Sequence, residues 1–479
     1  MKKLVYIILG TLTLASCEGL TEKNEITKSA ADVPAITLLS NAQKEIADYN
    51  ADPDINRLLP QQWAEVQYID QSTYDLNQGN TAALWWNGYY RDILVDLDEF
   101  TRLVEEDDSY LSEEVRQNHL AVGEINKVYA WYILVTTFGN VPYSEALNFE
   151  NAFPVYDDAE TIYLDLLNRI DVAIAQIQVD AGFGNQASGD LIYGGNMDNW
   201  FAYANSLKLR MAMLIADQNP AIAGPAAAAA APNAFTSNEQ NATFQYMLTT
   251  PNTNPIFVAL DQSGRNDYVA ANTMVDLLND IEDPRRQYYF TPFNGEYVGG
   301  VYGDFNVYAN FSHVNPVIVE ENFPHIIMDY SEVEFLRAEA VERGFISGSA
   351  ATHYNNGIRA SMEYWSNTFA GFGGEGLSEA DINSYLANPD VVYQSDNWKE
   401  KIGLQKYIAL YNRGYDAWTE WRKFDYPVLN PPPGTEYNSI PVRYTYPIAE
   451  QNVNESNFES AAEAVGGDEL TTKLWWDVN

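Results

Sequence analysis

Hydrophobic side chains recur every three or four residues along several segments of the chain. A helix gathers positions with this spacing on one face, whereas a strand would divide them between two faces. The clearest runs are Val122, Ile125, Tyr129, Tyr132 and Ile133; Ile162, Tyr163, Leu166, Leu167, Ile170, Ile174 and Ile177; and Trp200, Tyr203, Leu207, Met211 and Leu214. The pattern therefore predicts helices at these three places and a mainly α-helical chain.

Capping residues predict where two further helices begin. Ser331 and Glu334 match a capping box, in which each side chain accepts a bond from the other residue's backbone N–H. Gly344 follows the apolar positions of that segment and suits the left-handed residue that ends a helix. Ser378 is expected to cap another helix. The alanine-rich residues 221–232, bracketed by prolines, predict a short helix and surface connection.

Residues 371–376 match the Gly-x-Gly-x-x-Gly spacing of dinucleotide-binding loops. Such a loop follows a buried strand, yet residues 361–368 do not have the pattern of a strand. Glu375 would also bring a negative charge to the pyrophosphate. We therefore interpret the segment as a loop between helices and expect no nucleotide cofactor.

Long segments rich in Gly, Asn, Pro and aromatic residues separate the predicted helices. They cover residues 179–198, 249–267, 290–324 and 427–447. Loops of this length are usually functional or well packed on themselves. Because no linker divides the chain, we predict a single domain over 36–479, with helices as the scaffold and the loops elaborated on one face.

The N-terminus has the pattern of a secretory signal peptide. Lys2 and Lys3 precede a short apolar run that ends near Ala15, which is too short to span a bilayer. The following Cys17 is the only cysteine of the chain, and Leu14-Ala15-Ser16-Cys17 resembles a bacterial lipobox. We predict a signal peptide over 1–16, a lipid on Cys17 and a lipidated flexible tether over 17–35, so that the membrane is reached through the lipid alone.

The charge balance excludes one large class of partners. Asp and Glu number 67 against 27 Lys and Arg, which gives a formal net charge of −40. A chain this acidic repels polyphosphate, so nucleic-acid binding is not expected. Aromatic residues are also abundant, with 33 Tyr, 20 Phe and 11 Trp. So many tyrosines cannot all be buried with their hydroxyls satisfied, and some are expected to line a surface.

Sequence motifs of catalysis are missing. The chain has no Walker A motif, no His-Glu-x-x-His and no Gly-x-Ser-x-Gly, and its four histidines are scattered. Residues 75–79 loosely resemble the start of a calcium loop but lack its glutamate, so a structural calcium stays open. We expect no enzyme activity, no cofactor and no metal. A glycoside hydrolase remains an alternative, because its carboxylate pair is defined by a separation in space.

Two groups of aromatic residues lie where no helical spacing assigns them to a core. A surface with aromatic faces beside Asn and Asp side chains suits a carbohydrate, whose rings have an apolar C–H face and a rim of hydroxyls. We predict that the two groups converge on one ligand-binding surface. Its predicted residues are Trp63, Tyr68, Tyr74, Trp85, Tyr297, Tyr302 and Tyr308 as stacking rings, with Asn77, Asp304 and Asn306 as hydrogen-bonding groups.

Four stretches together resemble the SusD/RagB family of outer-membrane lipoproteins from Bacteroidetes-type bacteria. They are Phe138-Gly-Asn-Val-Pro-Tyr-Ser-Glu-Ala146; Asp329 to Gly344, an acidic helix; Ile402 to Leu410 followed by Ala417-Trp-Thr-Glu-Trp-Arg422; and Ile440-Pro-Val-Arg-Tyr-Thr-Tyr-Pro447 with Glu450, Asn454 and Asn457. With the lipobox, the matches cover nearly the whole chain.

The resemblance implies a mainly α-helical, tetratricopeptide-like fold with loop-rich insertions. It also implies a nutrient-binding lipoprotein at the cell surface, anchored in the outer membrane. Such a protein captures an oligosaccharide, or in some members a peptide, and delivers it to a SusC-like TonB-dependent transporter. The matching motifs are structural in the family, so they assign no binding residue here. A structural surface-layer or adhesion protein is a further alternative.

Overall fold

The computed structural model describes residues 33–77, 79–110, 112–433 and 439–479. The predicted signal peptide, Cys17 and most of the predicted tether lie outside the described residues. Within the described residues, no helix is both long enough and apolar enough to span a membrane.

Helices dominate the structure, which confirms the predicted fold class. The first are α1 (Ala35–Ala51), α2 (Asp54–Leu58), α3 (Thr81–Asn87), α4 (Val95–Glu106), α5 (Glu113–Phe138), α6 (Ala159–Gln176), α7 (Met197–Leu214), α8 (Pro220–Ala230) and α9 (Pro255–Phe257). They are followed by α10 (Asn272–Asp280), α11 (Arg286–Tyr289), α12 (Tyr330–Glu342), α13 (Ala350–Gly371), α14 (Glu379–Leu386), α15 (Trp398–Ala409), α16 (Gly414–Phe424), α17 (Ile448–Val453) and α18 (Glu455–Ala464).

Shorter helical turns connect these elements. A π-helical turn at Gly88–Leu94 joins α3 to α4, and a second one, Val258–Gln262, continues α9. The 3₁₀ turns are Val179–Ala181, Gly184–Gly189, Ala231–Asn233, Asn238–Gln240, Tyr308–Asn310, Pro316–Val319 and Ser395–Asn397.

Consecutive helices pack side by side and form a layered scaffold. Helix α4 packs against both α1 and α5, and the series continues through α6 and α7 to α8. Helix α7 also contacts α12, which packs on α13 and α15, and α15 packs on α16. This arrangement is the expected tetratricopeptide-like scaffold. The apolar faces meet in a large core that extends from Leu39 to Trp476.

The local predictions are largely confirmed. The three periodic segments are α5, α6 and α7, and the alanine-rich stretch forms α8. Ser378 caps α14 in a capping box with Asp381. Gly344 has a φ of 72° just after α12.

The predicted capping box at Ser331 is wrong. Helix α12 begins at Tyr330, two residues before the start that a cap at Ser331 implies, and its cap is Asp329, whose carboxylate accepts the backbone N–H of Glu332. Ser331 lies inside the first turn, and its hydroxyl donates to the carbonyl of Gly357 in α13 at 2.7 Å. The serine therefore joins two helices instead of starting one.

In the described part of the chain, three short antiparallel strand pairs connect the helical layers to the loops. Strands β1 (Trp63–Glu65) and β5 (Tyr268–Ala270) pair with Trp63 opposite Ala270. Strands β2 (Val141–Pro142) and β3 (Tyr156–Asp157) form a second pair, and β4 (Ala242–Phe244) and β6 (His325–Met328) form a third.

A buried network of charges joins α7, α12 and the residues around α16. The carboxylate of Glu332 accepts bonds from Arg210 Nε at 2.7 Å and from Arg413 Nη2 at 2.5 Å. Burial alone would raise the pKa of Glu332, but the two guanidinium groups hold it well below its usual range. Since each charge has a partner, these groups can remain ionised inside the scaffold.

The family-like motifs also have structural roles. Arg422 is buried, lies 3.7 Å over the ring of Trp418, and donates to the carbonyls of Thr136 and Val442. It thereby fastens α16 to the end of α5 and to the C-terminal segment. Gln405 accepts a bond from the fully buried Arg285 at 2.7 Å. These contacts explain why the motifs specify the fold and not a ligand.

Candidate functional site

The two aromatic segments predicted to converge lie side by side around β1 and β5. The backbone N–H of Asn306 donates to the carbonyl of Val66 at 2.8 Å. Gly300 donates to the carbonyl of Ala270, and Ala270 donates to that of Ser312. Backbone bonds to β5 and to Val66, the residue after β1, therefore fix the position of the loop 300–312.

A groove opens beside this small sheet and consists of two hollows on either side of Arg265. The first has a volume of about 410 Å³ and the second about 390 Å³. Arg265, Asp267 and Tyr268 line both hollows. The first is also lined by Asp261, Tyr308, His313 and Glu320, and the second by Tyr68, Asp70 and Gln71. We call the two hollows together the groove.

Tyr308 supplies an aromatic wall of the first hollow. Its ring stacks on His313 with centroids 3.8 Å apart and planes inclined by 11°. His313 Nε2 also lies 2.9 Å from the carbonyl oxygen of Tyr308, so the two residues hold each other in place. Partial burial raises the pKa of Tyr308. The neutral hydroxyl can both donate and accept hydrogen bonds at the edge of the hollow.

Tyr68 supplies an aromatic face to the second hollow. Its side chain is 60% exposed, and the guanidinium of Arg265 lies 5.5 Å from its ring centroid. Arg265 Nε donates to Asp267 Oδ2 at 2.5 Å. This hydrogen bond, together with the charge of Asp267, raises the pKa of Arg265. The guanidinium thus stays charged and engaged with Asp267 while covering one part of the Tyr68 ring.

A further exposed aromatic side chain, Phe305, lies near Tyr68 and is not among the predicted binding residues. Phe305 is 70% exposed. Because its neighbour Asn306 is bonded to Val66, the Cα atoms of Phe305 and Tyr68 are no more than about 12 Å apart. The sequence carried a signal for it, since an aromatic residue between the turn formers Gly303-Asp304 and Asn306 is expected at a loop tip.

Asn306 is the support of that loop tip and not a ligand group. It is buried, and its Nδ2 donates to the carbonyls of Glu65 at 2.8 Å, Asp304 at 2.9 Å and Val301 at 3.0 Å. Its Oδ1 accepts the N–H of Val301 at 2.9 Å. With its amide fully used, Asn306 has no free group for a ligand, which corrects its predicted role.

Four predicted stacking rings belong to the core, which corrects the prediction at these positions. Trp63, Tyr74, Trp85 and Tyr302 are each at most 5% exposed. Trp63 donates from its indole N–H to the hydroxyl of Tyr411, and Trp85 stacks between Tyr89 and Tyr415. The rings of Tyr74 and Tyr302 lie 6.3 Å apart. None of these side chains presents a free face to solvent.

The remaining predicted residues are divided between three places. Tyr68 and Tyr308 line the groove, and the exposed Asp304 lies on the loop beside it. Tyr297 is half-buried under the guanidinium of Arg286 and does not line the groove. Asn77 is exposed and lines a separate hollow. For Tyr68, Tyr308 and Asp304, ligand contact stays a prediction.

The described residues contain no group of three or more His, Cys, Asp or Glu side chains placed to hold a metal ion. The groove is instead a polar hollow with aromatic faces. Such a surface can stack against an apolar ring face and bond to the hydroxyls around it.

The chain belongs to the SusD-like family. The family profile, described as "Starch-binding associating with outer membrane", matches residues 24–447. None of the curated proteins compared with the chain shows significant sequence similarity.

Solved structures share the fold over almost the whole chain. A chitin-binding protein is 27% identical, with a TM-score of 0.82 over 93% of this chain and 100% of its own. A SusD homolog from Bacteroides uniformis is 26% identical, with a TM-score of 0.77 over 94% of this chain and 100% of its own. A chitin-binding SusD homolog from Flavobacterium johnsoniae is 23% identical, with a TM-score of 0.79 over 93% and 99%.

Proposed function

We propose that this protein is a non-catalytic, glycan-binding lipoprotein of the cell surface. It captures an oligosaccharide in the groove and delivers it to a SusC-like TonB-dependent transporter. The observation that carries the proposal is the groove itself, which combines the ring faces of Tyr68 and Tyr308 with a rim of polar side chains. Membership of a family described as starch-binding, and similarity to chitin-binding proteins, support the same function.

The preformed shape of the groove favours tight binding. Backbone bonds to β5 and to Val66 and the buried amide of Asn306 fix the loops before a ligand arrives. A preformed surface loses little conformational entropy when a ligand docks. The exposed ring of Phe305, on the loop bonded to Val66, would extend the aromatic surface near Tyr68. An oligosaccharide could then lie across Arg265 and touch both hollows.

Titration calorimetry of the detergent-solubilised lipoprotein with oligosaccharides of four to six units tests the binding function. We expect saturable heat with at least one of chito-, malto- or cello-oligosaccharides, and no new reducing ends after prolonged incubation. Release of reducing ends would instead identify the surface glycoside hydrolase. Saturable heat with peptides alone would identify a peptide-binding member of the family, and no small-ligand binding would favour the adhesion protein.

Transfer to a transporter requires that the two proteins associate. A tethered binding protein gains a high effective concentration at a barrel in the same membrane. We therefore expect a TonB-dependent barrel to co-purify with this protein from gently solubilised outer membranes. Repeated isolation of the protein alone under those conditions would contradict the delivery role while leaving glycan binding intact.

A further inference from the structure

We infer that the groove selects glycans by charge. It binds oligosaccharides with free amino groups most tightly, neutral ones less tightly, and those with uronate or sulfate groups least. This inference rests on the proposed function, because it names the class of glycan that the same groove accepts.

The charges of the lining residues are strongly unbalanced. Of the described residues, six carboxylates line the two hollows, against a single guanidinium and no lysine. The carboxylates belong to Glu65, Asp70, Asp261, Asp267, Glu320 and Glu321, and the guanidinium to Arg265. Glu65 is buried and accepts bonds from the backbone N–H and hydroxyl of Ser72, whereas Asp261 and Glu320 are exposed to a ligand.

Among the described residues, Arg265 is the only Arg or Lys side chain that lines the groove, and its charge is compensated by Asp267. Arg265 donates to Asp267 at 2.5 Å, and its guanidinium lies over the ring of Tyr68. Proteins recognise carboxylates and sulfates with Arg forks or Lys that have donors free for the anion. An anionic sugar that reached the remaining donors of Arg265 would find its charge already compensated by Asp267 and would meet the other carboxylates of the groove.

An amino sugar carries a positive charge and is attracted by the same carboxylates. Its ammonium group can approach Asp261, Glu320 or Glu321 without breaking an existing ion pair in the groove. The attraction acts mainly within the Debye length, about 8 Å at physiological ionic strength, so it is sensitive to salt. The apolar face of the sugar ring still stacks on Tyr308 or Tyr68, so charge is added to a contact that neutral glycans also make.

Calorimetry with three tetrasaccharides of equal length tests the inference. The probes are chitosan tetraose, N-acetylchitotetraose and tetragalacturonate, at about pH 6 so that amines are protonated and uronates ionised. At low salt we expect chitosan tetraose to bind about tenfold more tightly than N-acetylchitotetraose. N-acetylchitotetraose should in turn bind about tenfold more tightly than tetragalacturonate. At high salt the differences should shrink several-fold.

Two outcomes separate this inference from the proposed function. Tetragalacturonate binding as tightly as the neutral tetrasaccharide would overturn the charge selection and leave glycan binding intact. Absence of binding by all three tetrasaccharides, and by other oligosaccharides, would overturn the proposed function and the charge selection together.

A pair of double variants ties the selectivity to the groove. Glu320→Gln with Glu321→Gln removes two lining charges, and we expect the affinity ratio between chitosan tetraose and tetragalacturonate to fall at least several-fold. Asp180→Asn with Asp198→Asn removes two exposed charges that do not line the groove and should keep the ratio. An equal ratio in both double variants would overturn the assignment of the preference to the groove carboxylates Glu320 and Glu321.

Discussion

Burial decides what each aromatic residue does. Trp63 is fully buried on β1, whereas Tyr68, only five positions later, is 60% exposed at the groove. The sequence places both in one irregular aromatic segment. What separates them is the partner strand, since Trp63 is paired opposite Ala270 and lies under the ring of Tyr268.

Substitutions of Tyr68 and Trp63 test the site directly. Tyr68→Ala is expected to weaken glycan binding about tenfold, because one ring face loses its contact with the sugar. The free energy of unfolding should change by no more than about 0.5 kcal/mol. Calorimetry and chemical denaturation measure the two effects.

Trp63→Ala is the matched control for Tyr68→Ala. Removing a fully buried indole should cost about 3–5 kcal/mol of stability. If Tyr68→Ala retained full affinity, its ring would not contact the glycan, and the aromatic surface would be limited to Tyr308 and Phe305.

Asp217 provides a test of electrostatics in the scaffold. Its carboxylate accepts bonds from Arg343 Nη1 and Nη2, each at 2.7 Å. Burial would raise the pKa of Asp217, but Arg343 outweighs it and lowers the pKa to about 2. A depressed pKa stabilises the fold above the unfolded value of about 4, and this contribution disappears as the pH falls through about 2.

Asp217→Asn should therefore lower the free energy of unfolding by about 2 kcal/mol near pH 7. The difference from the unaltered protein should narrow progressively below about pH 4. Urea denaturation over this pH range checks both points, with the exposed Asp180→Asn as control. If the free energy of unfolding of Asp217→Asn stayed lower by the same amount at low pH, the loss would be due to packing and not to charge.

At the scale of elements, the sequence predicted those helices whose apolar residues recur with helical spacing. Helices α5, α6 and α7 have long apolar stripes, so their positions followed from spacing alone. The burial of Trp85 did not follow from spacing. Trp85 stacks on Tyr89 and Tyr415, and Tyr415 lies more than 300 positions away in the sequence. Rings buried in irregular segments have no period, and only the folded chain shows which neighbours cover them.

The predicted start of α12 shows a second limit. Ser331 has the residue type of a helix cap, and Glu334 has the right spacing. Asp329 is an equally good cap, and it occupies that position because its backbone is extended there. Local propensity thus allowed two starts two residues apart, and the bond from Ser331 to Gly357 of α13 decided between them.

The contact between α16 and α2 depends on the absence of a side chain. Gly414 begins α16, and a Cβ atom added there would lie 1.4 Å from the carbonyl oxygen of Asn56. Gly414→Ala would force the two helices apart and should cost about 3 kcal/mol or more. Chemical denaturation measures this loss.

Gly371, the last residue of α13, is the matched control. A Cβ atom there meets no other atom within 4 Å, so Gly371→Ala should leave stability unchanged or raise it by up to about 1 kcal/mol. Equal effects of the two substitutions would mean that backbone flexibility, and not the close approach of α16 to α2, sets the requirement for glycine.

At the scale of the whole molecule, the sequence and the structure agree on a helical scaffold that carries elaborated loops. The two aromatic segments do meet, but the main contact between them is core packing. The groove lies next to that core. Its charge could not be located from the sequence, because 67 acidic residues are distributed along the entire chain.

A further prediction at this scale concerns the attachment of the protein to the membrane. The lipobox ending at Cys17 and the family's association with the outer membrane motivate it. Cys17→Ala, expressed in the native host, should abolish acyl labelling and release the protein from membrane fractions. Fractionation with a labelled fatty acid measures both. Continued labelling of the variant would contradict lipidation at Cys17.

The anchoring of the loop 300–312 has a consequence for engineering. Its fixed points at Gly300, Asn306 and Ser312 are main-chain bonds, supported by one buried amide. The exposed side chains of the loop, those of Phe305, Val307, Ala309 and Asn310, can therefore be exchanged without altering the bonds that hold it. A display library randomised at these exposed positions would present new recognition surfaces on an unchanged framework, much as variable loops do on an antibody domain.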